Sequence, residues 1–117
     1  MEKINLGKYN IAIDISGTES KPWIILSNSL GTTHKMWAPQ MDLLNKNFKV
    51  LRYDTLGHGE SDAPDGPYTF NQLEQDVISL MDALSILRAN FLGLSIGGMV
   101  GLGLAINYPN RINKLIC

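Results

Sequence analysis

Apolar and polar side chains alternate along the first part of the chain. Within residues 4–16, Ile11, Ile13 and Ile15 fall on one face of an extended segment, and Gly7-Lys8 interrupts the alternation. A period of two residues is typical of a half-buried strand, and a break with glycine is typical of a tight turn. This part of the chain therefore predicts two antiparallel strands.

Four later apolar runs predict further strands: Trp23–Leu26, Phe48–Tyr53, Ala89–Leu94 and Ile112–Cys117. The first of them is uninterrupted, which is typical of a strand buried on both faces. Helical patterns between the runs predict helices around residues 36–44, from about residue 70 to 84, and over 97–108. Because strands and helices alternate, we expect the sheet after residue 20 to be parallel, with right-handed crossovers.

Sequence signals also bound the predicted helices. Thr69 followed by Gln72 matches a capping box, which places the start of the middle helix near residue 70. Pro39 interrupts the first helix, and the third must end before Pro109. The stretch Phe91–Ile106 carries no charge over 16 residues. A bilayer requires about 18–20 such residues, so we expect a buried helix here rather than a transmembrane one.

Composition and charge restrict the kind of protein. The chain has 117 residues, 44% of them hydrophobic and 18% charged, with 10 Lys and Arg against 11 Asp and Glu. This length and composition predict one globular domain at most. A net charge of −1 gives no reason to expect nucleic acid or an anionic membrane as a partner. One cysteine excludes an internal disulfide framework, and no apolar leader is visible, so the expected location is the cytoplasm.

The strongest chemical signal is the motif Gly93-Leu94-Ser95-Ile96-Gly97. A predicted strand runs straight into Ser95 and a predicted helix follows, which is the context of a nucleophile elbow. The sharp turn requires small residues two positions either side of the serine, and it exposes the hydroxyl at the positive end of a helix. Gly98, Gly101 and Gly103 would let this helix approach the sheet closely. The alternatives are a glycine-rich turn with an incidental serine and a dinucleotide loop, although no Gly-x-Gly-x-x-Gly follows the strand.

A second signal is the loop Leu26-Ser27-Asn28-Ser29-Leu30-Gly31-Thr32, which follows the buried Trp23 strand. Acyl transfer requires two N–H donors that point at the developing oxyanion. One is expected from the residue after the nucleophile, Ile96, and the other from this loop, at Leu30. We therefore predict Ser95 as the catalytic residue, Leu30 and Ile96 as the oxyanion hole, and Ser29, Leu30 and Ile96 as substrate contacts. The alternative for the loop is a plain turn.

A third motif, Asp54-Thr55-Leu56-Gly57-His58-Gly59-Glu60-Ser61, completes a set that resembles the α/β-hydrolase superfamily. More narrowly, the chain is similar to the 3-oxoadipate enol-lactonases, which hydrolyse an enol-lactone in aromatic degradation. That similarity is carried by residues 26–32, Met36-Trp37, 50–55 and Gly66-Pro67-Tyr68-Thr69. It implies the N-terminal part of an α/β-hydrolase fold: a mostly parallel sheet with an antiparallel N-terminal strand pair, flanked by helices. It also implies a small lactone or ester as substrate, and no metal or organic cofactor.

The chain departs from the family pattern in several places. Leu56 stands where the family commonly has Arg, and Ile96 where it commonly has Met. Family members are well over twice as long, and their triad acid and His follow the nucleophile, whereas no acid or His follows Asp82 here. Residues 1–117 are therefore expected to be a single incomplete domain without the cap and later strands.

Asp54 and the two histidines precede Ser95 in the chain and are poor candidates for the missing triad residues. Asp54, His58 and Ser95 would have to meet across two strand spacings, roughly 9–10 Å, so we expect Asp54 and His58 to brace a tight turn instead. His34 could touch substrate, with a surface position or the start of a helix as the bland alternative. Cys117 is predicted to be a small buried apolar side chain.

Two hypotheses on function follow from these observations. The first is a serine hydrolase of a lactone or carboxylic ester, with a carboxylesterase, a perhydrolase or a carbon-carbon bond hydrolase as rivals that share the elbow. The second is a catalytically inactive fragment, because triad disruption typically removes about four to six orders of magnitude in turnover. The unfinished edge of the sheet would then be open to self-association.

Overall fold

The computed structural model describes residues 1–117. The strands are β1 (Glu2–Asn5), β2 (Asn10–Gly17), β3 (Trp23–Ser27), β4 (Lys49–Tyr53), β5 (Ala89–Gly93) and β6 (Ile112–Ile116). The α-helices are α1 (Met41–Asn47), α2 (Phe70–Ala83) and α3 (Ile96–Asn107), and a 3₁₀ helix spans His34–Gln40. All six predicted strands are therefore present, within one or two residues at most ends.

The prediction of a single helix over residues 36–44 is wrong in the type of helix. The structure has a 3₁₀ helix followed by a short α-helix, with Pro39 inside the 3₁₀ segment. Proline lacks the N–H that would continue an α-helical ladder, so the chain forms the tighter helix first and begins α1 only at Met41.

The six strands form one sheet in the order β1-β2-β4-β3-β5-β6. β2 pairs antiparallel with both β1 and β4, while β3 pairs parallel with β4 and with β5, and β5 pairs parallel with β6. The parallel sheet after residue 20 and the antiparallel N-terminal pair are thus confirmed. β3 lies between β4 and β5, so the loops after these strands meet at one carboxyl edge.

The sheet has a hydrophobic cluster on each face. Alternate residues of β3 point to opposite faces: Ile25 belongs to the larger cluster, while Ile24 and Leu26 belong to a smaller one with Trp37 and Met41. The larger cluster lies beneath α2 and α3, and the smaller one beneath the 3₁₀ helix and α1. β3 is therefore buried on both faces, as its uninterrupted apolar run predicts.

Helix α2 begins where the capping box predicts. The Thr69 hydroxyl accepts a hydrogen bond of 3.1 Å from the Gln72 N–H, which satisfies one of the free donors of the first turn. The predicted apolar stripe is buried at Leu73, Val77, Leu80 and Met81. Periodicity did not indicate that the neighbouring acids of this helix are also buried.

Helix α3 packs closely on the sheet because of its glycines. A Cβ on Gly101 would lie 2.6 Å from Leu115 and 2.9 Å from Phe91, both in the sheet. Gly103 does not serve this contact: its Cβ would lie 2.1 Å from Glu74 of α2, so the prediction that it faces the sheet is wrong. No helix in the fold combines the length and the apolar character that a membrane crossing requires.

β6 forms one edge of the sheet and leads into Cys117. This cysteine is exposed, so the prediction of a buried apolar side chain is wrong. Cys117 directly follows β6, an edge strand of the sheet formed by residues 1–117.

Asp76 of α2 is a buried carboxyl group with an incomplete set of partners. The Tyr9 hydroxyl donates to its Oδ1, while its Oδ2 is buried without a partner. Burial raises the pKa of Asp76 to about 6, although the hydrogen bond from Tyr9 opposes the shift. Burial also raises the pKa of Tyr9 to about 12, with the Asp76 hydrogen bond as the next cause. The fold therefore disfavours the ionised form of this carboxyl group relative to the unfolded chain.

We expect Asp76→Asn to stabilise the protein near pH 7 but not near pH 4. The raised pKa means that Asp76 supports folding while protonated, below its ordinary value of 3.8, and that this stability is lost as pH rises through about 6. Asp76 lines a surface cavity together with Tyr9 and Ser79, so solvent screening limits the expected gain near pH 7 to about 1 kcal/mol in the free energy of unfolding. Urea unfolding at both pH values measures it, with the exposed Asp65→Asn as control. An equal effect of Asp76→Asn at the two pH values would contradict this expectation.

Candidate active site

Ser95 occupies a strained turn between β5 and α3. Its backbone has φ 58° and ψ −117°, a conformation that L-residues rarely adopt, and its side chain is exposed. Such strain persists only where the surroundings impose it, and it is frequent at functional sites. Ser95 also precedes the first turn of α3, where the helix dipole favours negative charge.

The two motif glycines make this turn possible. A Cβ on Gly93 would lie 2.3 Å from the carbonyl oxygen of Gly97, and a Cβ on Gly97 would lie 2.2 Å from the carbonyl oxygen of Ser27. Both contacts are with backbone atoms, which cannot move aside as a flexible side chain could. The glycine spacing in the motif is therefore a steric requirement of the elbow.

Two backbone donors are unpaired beside the elbow. The N–H groups of Leu30 and Ile96 donate no hydrogen bond within the chain, whereas the next N–H along, that of Gly97, donates to the carbonyl of Leu94 at 3.0 Å. Leu30 lies in the loop after β3 and Ile96 follows Ser95. Both residues line the same cleft. The structure thus brings together the two predicted donors.

The cleft is small and largely apolar. Its volume is about 260 Å³, and it is lined by Leu30, Thr55, Leu56, His58, Tyr68, Phe70, Leu73 and Ile96. Ser29 is not part of this lining: its hydroxyl lies 3.3 Å from Thr32 Oγ1 within the loop. Of the three predicted substrate contacts, two therefore face the cleft. Ser95 itself does not line the cleft, whereas the residue that follows it, Ile96, does.

A buried polar network holds the loop after β3 from below. The Asn28 side chain donates to the Tyr53 carbonyl at 2.9 Å and accepts from the Trp37 indole at 2.8 Å. Ser27 and Tyr53 share a hydrogen bond of 2.7 Å between their hydroxyls. Burial raises the pKa of Tyr53, so this hydroxyl keeps its proton and the network stays neutral. The loop therefore rests on a rigid base.

The early acid and imidazoles do not form a triad with Ser95. Asp54 Oδ1 accepts from the His34 N–H at 2.8 Å and lies 3.2 Å from His34 Nδ1, while Oδ2 accepts from the Glu60 N–H at 2.9 Å. His58 Nε2 instead accepts from the Gly31 N–H at 2.9 Å. Asp54 braces the turn, as expected. His34 begins the 3₁₀ helix, which agrees with one expectation, but it is buried, so the surface position is wrong.

We expect Asp54→Asn to destabilise the fold by about 2 kcal/mol, because either orientation of the amide turns an NH₂ group toward the N–H of His34 or the N–H of Glu60. Asp62→Asn is the matched control, since Asp62 accepts one hydrogen bond, from the Asn10 N–H at 2.8 Å, that an amide oxygen can also accept. Urea unfolding of both variants measures the difference. Equal stability of the two would show that Asp54 does not brace the turn.

Sequence reasoning missed part of the cleft. Tyr68, Phe70 and Leu73 form one wall, and His58 reaches the loop after β3. Tyr68 and Phe70 flank the Thr69 cap. The capping box therefore predicts that they lie at the start of α2, but it does not predict that their side chains face the cleft. The His58 contact joins residues 27 positions apart. No local pattern indicates such a contact.

Comparisons with known proteins agree with this architecture. The sequence profile of the alpha/beta hydrolase fold matches residues 22–117. The chain is 47% identical over 100 residues to 3-oxoadipate enol-lactonase 2 of Acinetobacter baylyi, covering 86% of this chain and 38% of that protein. It is 41% identical over 95 residues to a putative carbamate hydrolase RutD of Caulobacter segnis, covering 80% of this chain and 36% of that protein.

A solved structure is also similar. The enol-lactonase from Burkholderia xenovorans LB400 superposes with a TM-score of 0.95 at 51% identity, over 97% of this chain and 45% of that one. The chain thus spans less than half the length of each of these relatives. Since the profile covers most of the chain, the protein belongs to the alpha/beta hydrolase fold family.

Proposed function

We propose that Ser95 is the nucleophile of a hydrolase that opens a lactone or cleaves a carboxylic ester. The observation that carries this proposal is the strained, exposed conformation of Ser95 at φ 58°, beside two unpaired backbone N–H groups. Strain at an exposed serine serves no packing purpose, because the side chain makes no core contact. The strain at Ser95 is explained if this residue is a nucleophile whose hydroxyl must project into a substrate site.

In this mechanism Ser95 Oγ attacks the carbonyl carbon of the substrate. The negative charge that develops on the carbonyl oxygen is stabilised by the N–H groups of Leu30 and Ile96, and by the positive end of α3. Collapse of the tetrahedral intermediate expels the alkoxide or enolate and leaves an acyl-enzyme, which water then cleaves. The hydrogen bond between the Trp37 indole and Asn28 holds the start of the loop that carries the Leu30 donor.

We propose that the general base is supplied by residues beyond these 117. Within residues 1–117, His34 is engaged with Asp54, and His58 with Gly31. A serine hydroxyl without a base is a weak nucleophile. We therefore expect little or no turnover from the 117-residue chain alone. Brisk hydrolysis of a nitrophenyl ester by this chain, lost in Ser95→Ala, would contradict that.

The proposed substrate is 3-oxoadipate enol-lactone. Two relatives at 47% and 45% identity carry the name 3-oxoadipate enol-lactonase. The apolar lining residues Leu56, Phe70 and Leu73 suit the hydrocarbon part of a small lactone. A carbamate is the competing substrate class, because other relatives carry the name carbamate hydrolase.

A chimera tests this substrate assignment. Residues 1–117 are joined to the C-terminal remainder of the Acinetobacter baylyi enol-lactonase, which supplies the parts that the chain does not contain. The chimera is expected to hydrolyse 3-oxoadipate enol-lactone with a higher kcat/KM than either a nitrophenyl ester or a carbamate. A preference for the carbamate would reject the lactone assignment and leave Ser95 as nucleophile. The parent enzyme is the positive control.

A further inference from the structure

We propose that His58 is a positioning residue: by holding the Gly31 N–H it anchors the C-terminal side of Leu30, and so limits how the Leu30 backbone, whose N–H is the proposed oxyanion donor, can turn. This inference rests on the proposed function, since it assigns a role to the Leu30 donor. The contact that carries it is the hydrogen bond of 2.9 Å from the Gly31 N–H to His58 Nε2. It joins the loop after β4 to the loop after β3.

The imidazole is arranged to accept this hydrogen bond. Its Nδ1 lies 3.2 Å from the carbonyl oxygen of Leu56, which can only accept. The proton of a neutral ring therefore belongs on Nδ1, and Nε2 is left bare to accept from Gly31. One tautomer satisfies both contacts.

The turn that presents His58 is rigid. Gly57 and Gly59 flank it at φ 84° and φ 52°. A Cβ on Gly57 would lie 2.7 Å from the Tyr68 ring, and one on Gly59 would lie 2.1 Å from Asp54 Oδ2. The buried Asp54 carboxylate also accepts the Glu60 N–H at 2.9 Å. His58 is thus fixed relative to the sheet.

The Leu30–Gly31 peptide, by contrast, has little else to hold it. Leu30 is 68% exposed, and no atom lies within 4 Å of the place where a Gly31 Cβ would be. The neighbouring Ser29 is tied down inside the loop, where Thr32 Oγ1 donates to its carbonyl at 2.7 Å. Gly31 has φ 76°, a conformation that glycine adopts readily, and its N–H bonds to His58, so this contact holds the peptide plane that joins Leu30 to Gly31.

Nuclear magnetic resonance on the ¹⁵N-labelled full chain tests the contact directly. A hydrogen bond between two nitrogens gives a scalar coupling between them, and the imidazole nitrogen shifts report the tautomer. We expect a resolved coupling between Gly31 N and His58 Nε2, with the proton on Nδ1. A ring protonated on Nε2, or no coupling to Gly31, would overturn the proposal.

Two variants separate positioning from simple packing of the cleft. His58→Leu should shift the Leu30 and Gly31 amide resonances and speed Gly31 amide exchange about tenfold, the loss expected for one neutral hydrogen bond. His58→Gln, whose side-chain oxygen can accept the same N–H, should restore most of the protection. Phe70→Leu, which also changes a side chain of the cleft lining, is the control and should leave Gly31 unchanged.

The outcomes are separable from those of the proposed function. Unmoved Leu30 and Gly31 resonances in His58→Leu would overturn the positioning role, whatever the chimera hydrolyses. An inactive chimera would count against the hydrolase proposal and leave the measured Gly31 coupling as it stands. The scalar coupling between Gly31 N and His58 Nε2 is measured on the wild-type chain, so this test does not depend on the folding of any variant.

Discussion

Replacing Gly97 with alanine is expected to destabilise the protein by about 3 kcal/mol in the free energy of unfolding, at the upper end of the ordinary cost of overpacking. The new Cβ would lie 2.2 Å from the Ser27 carbonyl oxygen, where real Cβ atoms do not occur. Relief requires α3 to move away from the end of β3. That movement would also disturb the adjacent Ser95 turn, so the variant is expected to lose the elbow geometry as well as stability.

Gly98→Ala is the matched control for this prediction. Its Cβ would meet nothing closer than 3.4 Å, and alanine has the higher helix propensity by about 0.5–1 kcal/mol. Urea unfolding should therefore show a stability equal to or slightly above that of the wild type. If the two variants were equally stable, the close approach of α3 to β3 would not be the reason for the motif glycine.

Ser95→Ala in the chimera is expected to lower kcat by about four to six orders of magnitude, the range found when a triad nucleophile is removed. The hydroxyl forms the acyl bond in the proposed mechanism, so no remaining group can take its place. The fold should be retained, because Ser95 is exposed and alanine adds no bulk. Steady-state kinetics on the enol-lactone measure the loss.

Ser79→Ala is the control for the loss of a hydroxyl. Ser79 lies on α2 beside the cavity of Tyr9 and Asp76, and it is not one of the residues that line the Ser95 cleft. Its kcat should equal that of the parent chimera. Residual turnover above about one per cent in Ser95→Ala would contradict the nucleophile assignment, since it corresponds to less than about 3 kcal/mol of lost transition-state stabilisation.

Local patterns predict most of the fold because they depend on nearby residues. The uninterrupted run of β3 reflects burial on both faces, and the Thr69 cap reflects a hydrogen bond three residues away. The Ser95 turn is local on one side, since Gly93 relieves a clash with the Gly97 carbonyl, whereas Gly97 relieves one with Ser27 of β3. Chemistry that a few adjacent residues determine can therefore be inferred from the amino-acid sequence alone.

The features that sequence did not predict depend on tertiary contacts. Gly103 packs against Glu74 of α2 rather than on the sheet, because the glycine pattern does not say which neighbour comes close. Asp76 is buried against Tyr9, 67 positions away. The His58–Gly31 contact likewise arises only once β3 and β4 are adjacent. The periodicity of apolar residues predicts which face of a helix or strand is buried, but not which other element packs against that face.

The most direct test of Ser95 as the nucleophile is covalent labelling of the chimera with a fluorophosphonate, followed by peptide mass spectrometry. Attack by the serine oxygen on phosphorus expels fluoride and leaves a stable phosphonyl ester on the nucleophile. We expect one adduct per chain, on the peptide that contains Ser95, and none on that peptide in Ser95→Ala. An adduct on a different residue, with Ser95 unmodified in an active chimera, would contradict the assignment.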